Sequence, residues 1–141
     1  MKLRVYSDGT SRGNPGPSSI AYLILSEDRK KIAENSEYIG VKTNNQAEYE
    51  ALISALEFAY KLESEEVSCY VDSELLAKQL NGEYQVRNPK LSILWLKVRK
   101  LMQKFQIITF TYKPRTNIYI QQVDKLANKT LDSLERTKKL L

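Results

Sequence analysis

The sequence contains no histidine and a single cysteine, Cys69. A Ser-His-Asp triad and a zinc cage of Cys and His ligands are therefore excluded, and no disulfide can form within the chain. Glycine and proline are also scarce, with five and four residues, which excludes collagen-like and low-complexity chains. The longest uninterrupted apolar run, residues 20–25, is too short to cross a membrane. We therefore expect a protein of the cytoplasm that has no membrane partner.

The composition is typical of one folded domain. The chain has 141 residues, of which 42% are hydrophobic and 28% charged, and this length is enough to bury about two-thirds of the unfolded surface. We expect a single domain over residues 1–141 and, from its size, a monomer. Twenty-two Lys and Arg residues against seventeen Asp and Glu residues give a net charge of +5. This charge favours a polyanionic partner without identifying one.

The pattern of apolar residues predicts three strands followed by alternating helices and strands. The strands are expected over residues 3–8, 19–27 and 31–39, with a glycine- and proline-rich loop from Gly9 to Pro17. The later elements are predicted, in order, as a helix from Thr43, a strand over 67–71, helices over 73–80 and from Pro89 to about residue 105, a strand over 107–112, and a helix over 123–140. This order, βββαβααβα, indicates an α/β fold with a five-stranded mixed sheet. Its first three strands are antiparallel, its first strand lies centrally, and helices cover both faces.

Several acidic residues stand where an apolar pattern meets the end of an element. Asp8 ends the first predicted strand and Asp72 ends the fourth, so their carboxylates meet at one edge if these strands are neighbours. Glu48 lies on an apolar row of its predicted helix, and Asp124 begins an apolar row of the last helix. Both side chains are thereby directed to the edge of the core rather than into water. The sequence predicts that these four acids converge.

Each of these acids also has a structural interpretation. Acids near the start of a helix are favoured by capping and by the helix dipole, which taken singly is the better interpretation of Glu48 and Asp124. Asp8 and Asp72 are of a residue type that begins turns. A group of carboxylates in a partly buried site, however, persists mainly where a cation neutralises it. Oxygen ligands without His or thiolate select a hard ion, Mg²⁺ or Mn²⁺.

Five short motifs occur in an order and at a spacing that together cover nearly the whole chain. They are Tyr-Ser-Asp-Gly-Thr at 6–10, Gly-Asn-Pro-Gly-Pro at 13–17, Thr-Asn-Asn-Gln-Ala-Glu at 43–48, Val-Asp-Ser at 71–73 and Asp-Lys-Leu-Ala at 124–127. Each motif is weak alone, since Thr43-x-x-Gln46 is also a capping box. Together they resemble the ribonuclease H type 1 family, in the compact prokaryotic and archaeal branch that lacks a basic protrusion.

The resemblance implies a fold, an activity and a set of catalytic residues. It implies a ribonuclease H-like fold, with Asp8, Glu48, Asp72 and Asp124 as the catalytic carboxylates that bind two Mg²⁺ or Mn²⁺ ions. Two such ions activate a water on one side of the scissile phosphate and stabilise the leaving 3′ oxygen on the other. The implied enzyme is an endoribonuclease that hydrolyses the RNA strand of RNA–DNA hybrids and leaves a 5′-phosphate and a 3′-hydroxyl.

The resemblance also implies residues that contact the hybrid. A glycine-rich loop lets the backbone approach the 2′-hydroxyls of a shallow minor groove. A second group of residues matches a pocket that holds a phosphate of the DNA strand. The minor-groove and loop residues are Gly9, Thr10, Asn14, Asn44 and Asn45, and the pocket residues are Thr43 and Asn88.

The chain departs from the family pattern at three places. Related enzymes commonly carry a His before the last Asp, and this chain has none. The segment 117–124 is longer than expected, which makes Asp132 a second candidate for the last acid, although it lacks the Leu-Ala that follows Asp124. Glu74 adds a negative charge near the expected phosphates. Two alternatives stay open, namely a non-catalytic nucleic-acid-binding domain on this scaffold and a related nuclease that acts on duplex RNA or DNA.

Overall fold

In the computed structural model, which describes residues 1–140, the chain forms a five-stranded sheet and four helices. The elements are β1 Lys2–Ser11, β2 Gly16–Ser26, β3 Lys31–Lys42, α1 Asn44–Lys61, β4 Glu66–Val71, α2 Glu74–Leu80, α3 Pro89–Met102, β5 Ile107–Tyr112 and α4 Ile118–Leu140. Leu141, the last residue of the predicted domain, lies outside the described residues. Among residues 1–140, no helix is long and apolar enough to span a membrane. The predicted order of elements is confirmed.

The strand order is β3-β2-β1-β4-β5, so β1 lies at the centre of the sheet. The first three strands are antiparallel, and β4 and β5 continue the sheet in parallel with β1. Tyr6 of β1 lies opposite Tyr70 of β4. Two residues further along each chain segment, Asp8 and Asp72 therefore reach the same edge of the sheet. The predicted mixed sheet and the central position of β1 are confirmed.

Helices cover both faces of this sheet, as predicted. On one face, α1, α2 and α3 enclose the larger core, in which Leu52 and Leu56 of α1 are fully buried. Burying an aliphatic side chain of this size stabilises the fold by about 1.5–3 kcal/mol. On the other face, α4 packs its apolar row on the sheet, with Ile120, Val123 and Ala127 buried. The acids at the sheet edge thus lie between helices of opposite faces.

The first predicted loop is shorter in the structure. β1 does not end at Asp8 but continues to Ser11, which pairs with Ser18 of β2. The predicted loop from Gly9 to Pro17 is thereby reduced to residues 12–15. The prediction was wrong because glycine and small polar residues, which usually mark turns, here continue an antiparallel ladder.

Two helix boundaries also differ from the prediction. α4 begins at Ile118 instead of residue 123, because the side chain of Asn117 accepts hydrogen bonds from the backbone N–H groups of Tyr119 and Ile120. α3 ends at Met102 rather than near residue 105. The longer α4 places Asp124 well inside a helix.

Gly9 determines how closely β1 approaches α1. A Cβ atom at this position would lie 2.1 Å from the carbonyl carbon of Ala47 and 2.5 Å from the backbone nitrogen of Glu48. Both neighbours are backbone atoms, which cannot rotate away as a flexible side chain can. Only glycine therefore lets α1 bring Glu48 close to Asp8 of β1.

We predict that Gly9→Ala destabilises the fold by about 1–3 kcal/mol, the usual cost of overpacking a close contact. Urea denaturation monitored by circular dichroism measures the change. Gly40→Asn is the matched control, because Gly40 has φ +86° with nothing within 4 Å of an added Cβ, and asparagine tolerates that conformation. An equal decrease in the free energy of unfolding in the two variants would contradict the close approach of the backbones at Gly9.

Candidate active site

Asp8 is a buried acid at the edge of the sheet, with 6% of its surface exposed. Burial raises the pKa of its carboxyl well above the ordinary value. Asp72 and Asp124 raise this pKa further through their charges, Asp124 also through a hydrogen bond, and Glu48 adds a smaller effect. The structure therefore brings the four predicted acids into one neighbourhood.

Each of the other three acids reaches Asp8 from a different element. Asp72 follows the last residue of β4, Glu48 lies in α1, and Asp124 lies in α4. Neither helix has an acid in its first turn, and α1 begins with a capping box formed by Thr43 and Gln46. The interpretation of Glu48 and Asp124 as first-turn acids is therefore wrong. Both acids lie beyond the first turn of their helices, where they are near Asp8 and do not cap the helix ends.

The carboxyl of Glu48 is in surroundings that disfavour its charge. Burial is the main cause that raises its pKa to about 7, and the charge of Asp72 acts in the same direction. Hydrogen bonds from Ser73 and Asn44 and the charge of Arg115 oppose the shift. The side-chain amide of Asn44 donates to Glu48 Oε1 at 3.0 Å. Glu48 is thus held in place by donors that favour its ionised form.

Among residues 1–140, one ion pair reaches this cluster. Arg115 Nε lies 3.4 Å from Asp72 Oδ2, although the Arg115 side chain is 89% exposed. Arg115 lies in the loop between β5 and α4 and was not among the predicted site residues. The signal that could have found it is the parallel pairing of β4 and β5, which brings both following loops to one edge.

The set of side chains fits a hard divalent cation. Four carboxylates face one exposed guanidinium, so the neighbourhood keeps an excess of negative charge that a bound cation would relieve. All four groups would bind a metal through carboxylate oxygen atoms, which Mg²⁺ and Mn²⁺ prefer. No three His, Cys, Asp or Glu side chains among the described residues are already arranged to hold an ion. The carboxylates are close enough to shift the pKa of Asp8, and rotation of their side chains would have to bring them onto a shared ion.

Four of the predicted substrate residues line one groove of about 490 Å³. Thr43 caps α1 and Asn88 caps α3, so the N-termini of two helices border this groove. The positive ends of the helix dipoles, together with the Lys90 side chain at the groove wall, suit an anion. The four predicted residues in the groove are Asn14, Thr43, Asn45 and Asn88.

The remaining predicted substrate residues lie close to the acids. Gly9 and Thr10 belong to β1, directly after Asp8. Asn44 uses its backbone N–H to reach Asn14 Oδ1 at 3.0 Å, while its side chain holds Glu48. The loop between β1 and β2 is thereby tied to the start of α1.

Comparison with known proteins finds chains that are similar in sequence and in fold. The family model described as Reverse transcriptase-like matches residues 6–130. A protein named Ribonuclease HI from Halobacterium salinarum is 40% identical over 132 residues, covering 93% of this chain and 65% of that protein. A protein named Ribonuclease H from Trichodesmium erythraeum is 33% identical, covering 95% of this chain and 91% of that protein. By these matches, the chain belongs to the ribonuclease H family.

Solved structures agree with this assignment. The crystal structure of RNase H1 from Halobacterium salinarum has a TM-score of 0.90 and 38% identity, covering 94% of this chain and 99% of that chain. LC11-RNase H1, whose crystal structure is a complex with an RNA/DNA hybrid, has a TM-score of 0.87 and 36% identity, covering 94% of this chain and 98% of that chain. The predicted family and the ribonuclease H-like fold are confirmed. The chain spans 65% of the Halobacterium relative and 36% of a Mycobacterium tuberculosis relative named Bifunctional protein Rv2228c.

We predict that Glu48→Gln is more stable than the wild type at about pH 8 in EDTA, by about 2 kcal/mol, because charging Glu48 in the fold is unfavourable. Its folded pKa of about 7 lies above the ordinary 4.5. Below about pH 4.5 Glu48 is protonated in the folded and the unfolded chain, and the wild type has its full stability. This part of its free energy of unfolding is lost as the pH rises through 7. Urea denaturation at about pH 4 should show no difference between the two proteins.

The control for this measurement is Glu57→Gln, which changes an exposed residue of the same helix. Its stability relative to the wild type should be the same at both pH values. If the stability of Glu48→Gln relative to the wild type is also the same at both pH values, charging Glu48 in the fold is not unfavourable. Added Mg²⁺ should narrow the gap at about pH 8, because an ion stabilises the wild-type carboxylate.

Proposed function

We propose that this chain is a divalent-metal-dependent ribonuclease H that hydrolyses the RNA strand of RNA–DNA hybrids by endonucleolytic cleavage. The observation that carries the proposal is the buried carboxyl of Asp8 with Glu48, Asp72 and Asp124 around it, on a ribonuclease H fold. The complex of LC11-RNase H1 with an RNA/DNA hybrid supports the substrate. Residues 1–141 would form a single catalytic domain, and the products would carry a 5′-phosphate and a 3′-hydroxyl.

The four acids would hold two hard cations, Mg²⁺ or Mn²⁺. When bound, such ions supply the activation of the attacking water and the neutralisation of charge on the leaving 3′ oxygen. Asp8 lies between acids of both faces of the sheet, so it would hold a cation together with acids from either face. Arg115 restrains the Asp72 carboxylate from the solvent side. No side chain is required as a nucleophile, which fits a chain without histidine.

The backbone after Asp8 and the neighbouring groove would bind the hybrid. Gly9 and Thr10 continue β1 beyond the acids, where the RNA backbone would pass. The groove lined by Thr43, Asn45 and Asn88 would hold a phosphate of the DNA strand, because two helix N-termini border it. The net charge of +5 supports attraction of this polyanion.

The proposed enzyme acts as a monomer in the cytoplasm. A chain of this size buries a sufficient core by itself. Its single cysteine, Cys69, is free and buried, which is compatible with a reducing compartment.

The direct test is incubation of the full chain with a hybrid labelled on the RNA strand, with Mg²⁺, with Mn²⁺ and with EDTA. We expect RNA cleavage only when metal is present. Asp8→Asn and Asp72→Asn should each lower the rate by at least about a hundredfold, the scale of removing one electrostatic stabiliser from an active site. Both variants should remain folded, because each removes like-charge repulsion. Glu57→Gln is the control for unaltered cleavage.

The same assay separates the alternative functions. Binding of the hybrid without metal-dependent turnover would favour a non-catalytic nucleic-acid-binding domain. Preferred cleavage of duplex RNA or duplex DNA in competition with the hybrid would favour a related nuclease. Full activity of Asp8→Asn or Asp72→Asn would reject the role assigned to that residue.

We predict that Asn45→Ala raises the KM for the hybrid about two- to tenfold and leaves kcat nearly unchanged, the scale of losing one hydrogen bond. Asn45 is exposed in the groove, away from the acids. Steady-state kinetics at fixed ionic strength measures both constants. Gln122→Ala, an exposed residue of α4 on the opposite face of the sheet, is the control. A loss confined to kcat would show that Asn45 acts on the chemistry instead of on binding.

A further inference from the structure

Arg12 connects the loop between β1 and β2 to α4. Its Nη1 atom lies 2.7 Å from Glu135 Oε1, and its Nη2 atom lies 2.6 Å from Asp132 Oδ1. Both carboxylates are more than half exposed, whereas 29% of the Arg12 side chain is exposed. Exposed ion pairs of this kind contribute little to stability. These two contacts alone give no reason for the side chain to cross from the loop to the helix at this point.

The same guanidinium also reaches the helix turn that follows Asp124. Arg12 Nη2 donates to the backbone oxygen and to Oδ1 of Asn128, each at 3.3 Å. Asn128 Nδ2 in turn donates to the backbone oxygen of Asp124 at 3.0 Å and to its Oδ1 at 3.3 Å. A continuous path of hydrogen bonds therefore joins Arg12 to the Asp124 carboxylate.

The chemistry of an amide gives this path a direction. Asparagine carries one oxygen that accepts and one NH₂ group that donates. Because Arg12 can only donate, it fixes the oxygen of Asn128 toward itself, which leaves the NH₂ group facing Asp124. Without Arg12, the amide is free to turn and the Asp124 carboxylate loses an oriented donor.

The other side of the loop shows the same construction. Asn14 accepts a hydrogen bond from the backbone of Asn44, whose side-chain NH₂ group donates to Glu48. Asn44 and Asn128 each lie one helical turn from the acid that they contact. The short loop between β1 and β2 thus contacts an asparagine beside an acid in α1 and another beside an acid in α4.

We propose that Arg12 is a positioning residue that acts through Asn128 to hold the Asp124 carboxylate toward the other three acids. The proposal rests on the proposed function, in which Asp124 is a metal ligand. Residues that orient ligands from the second layer typically change metal affinity or activity about 10- to 100-fold when they are lost. Arg12 would reach the ion only through Asn128 and then Asp124, so we expect an effect near the lower limit of this range.

The experiment compares Arg12→Ala, Asn128→Leu and the double variant with the wild type. Mn²⁺ binding to the full chain is measured by calorimetry without nucleic acid, kcat and KM are measured on the hybrid, and melting temperatures are recorded in EDTA. Each single variant should weaken Mn²⁺ binding and lower kcat by about tenfold, with KM changed less than about twofold. The double variant should bind Mn²⁺ no more weakly than Asn128→Leu, because both changes interrupt one path.

Two further variants separate positioning from general stability. Arg12→Lys keeps a positive charge for the two carboxylates but not the planar fork, so it should have the melting temperature of the wild type and still bind Mn²⁺ more weakly. Arg136→Ala removes another arginine of the same region, whose guanidinium donates to Ser133, and should leave every measured quantity unchanged.

Several outcomes would overturn the proposal. Lower stability of Arg12→Ala with normal Mn²⁺ affinity would mean a purely structural role. A raised KM with normal kcat and Mn²⁺ affinity would mean that Arg12 contacts the hybrid, and additive losses in the double variant would mean two independent roles. If the wild type binds Mn²⁺ but does not cleave hybrid, the proposed function fails, while the comparison of Mn²⁺ affinities still tests the role of Arg12.

Discussion

Repulsion between carboxylates at one edge of the sheet is the force that this fold has to withstand. Asp8 is buried and faces acids from β4, α1 and α4, so its ionisation is opposed both by burial and by its neighbours. The arrangement is held by rigid elements, namely the central strand β1, its parallel pairing with β4, and the backbone contact at Gly9. The rest of the fold supplies the stability that this local repulsion removes, and a bound cation would relieve the repulsion.

The order of elements and the central position of β1 could be predicted because they depend on local periodicity and on general rules of chain connection. The ends of elements depend on single tertiary contacts, which periodicity does not carry. β1 continues through Gly9 because β2 pairs with it as far as Ser11. α4 starts early because Asn117 caps a run of β-branched and aromatic residues that favours a strand by itself.

The proximity of the four acids could be predicted because their positions conflict with the apolar pattern around them, and this conflict is visible in the sequence. The arginines that contact these acids or their neighbours could not be predicted from the sequence. Arg115 and Arg12 lie in loops, and an arginine in a loop looks the same in a sequence whether or not it contacts a carboxylate. Their roles depend on which loops meet at the sheet edge. The structure also removes the capping interpretation of Glu48, because Thr43 caps α1.

The two cores of the molecule differ in size, and the acids are divided between them. Glu48 is carried by α1 on the side of the larger core, Asp8 lies in β1, which contributes side chains to both cores, and Asp72 follows β4. Asp124 is carried by α4, the helix that covers the other face among residues 1–140. Local detachment of α4 would therefore separate one carboxylate from three that stay in place. Heating would then abolish the proposed activity reversibly while most of the secondary structure persists, and a metal bound by the four acids would protect α4 amides from hydrogen exchange more than those of α1.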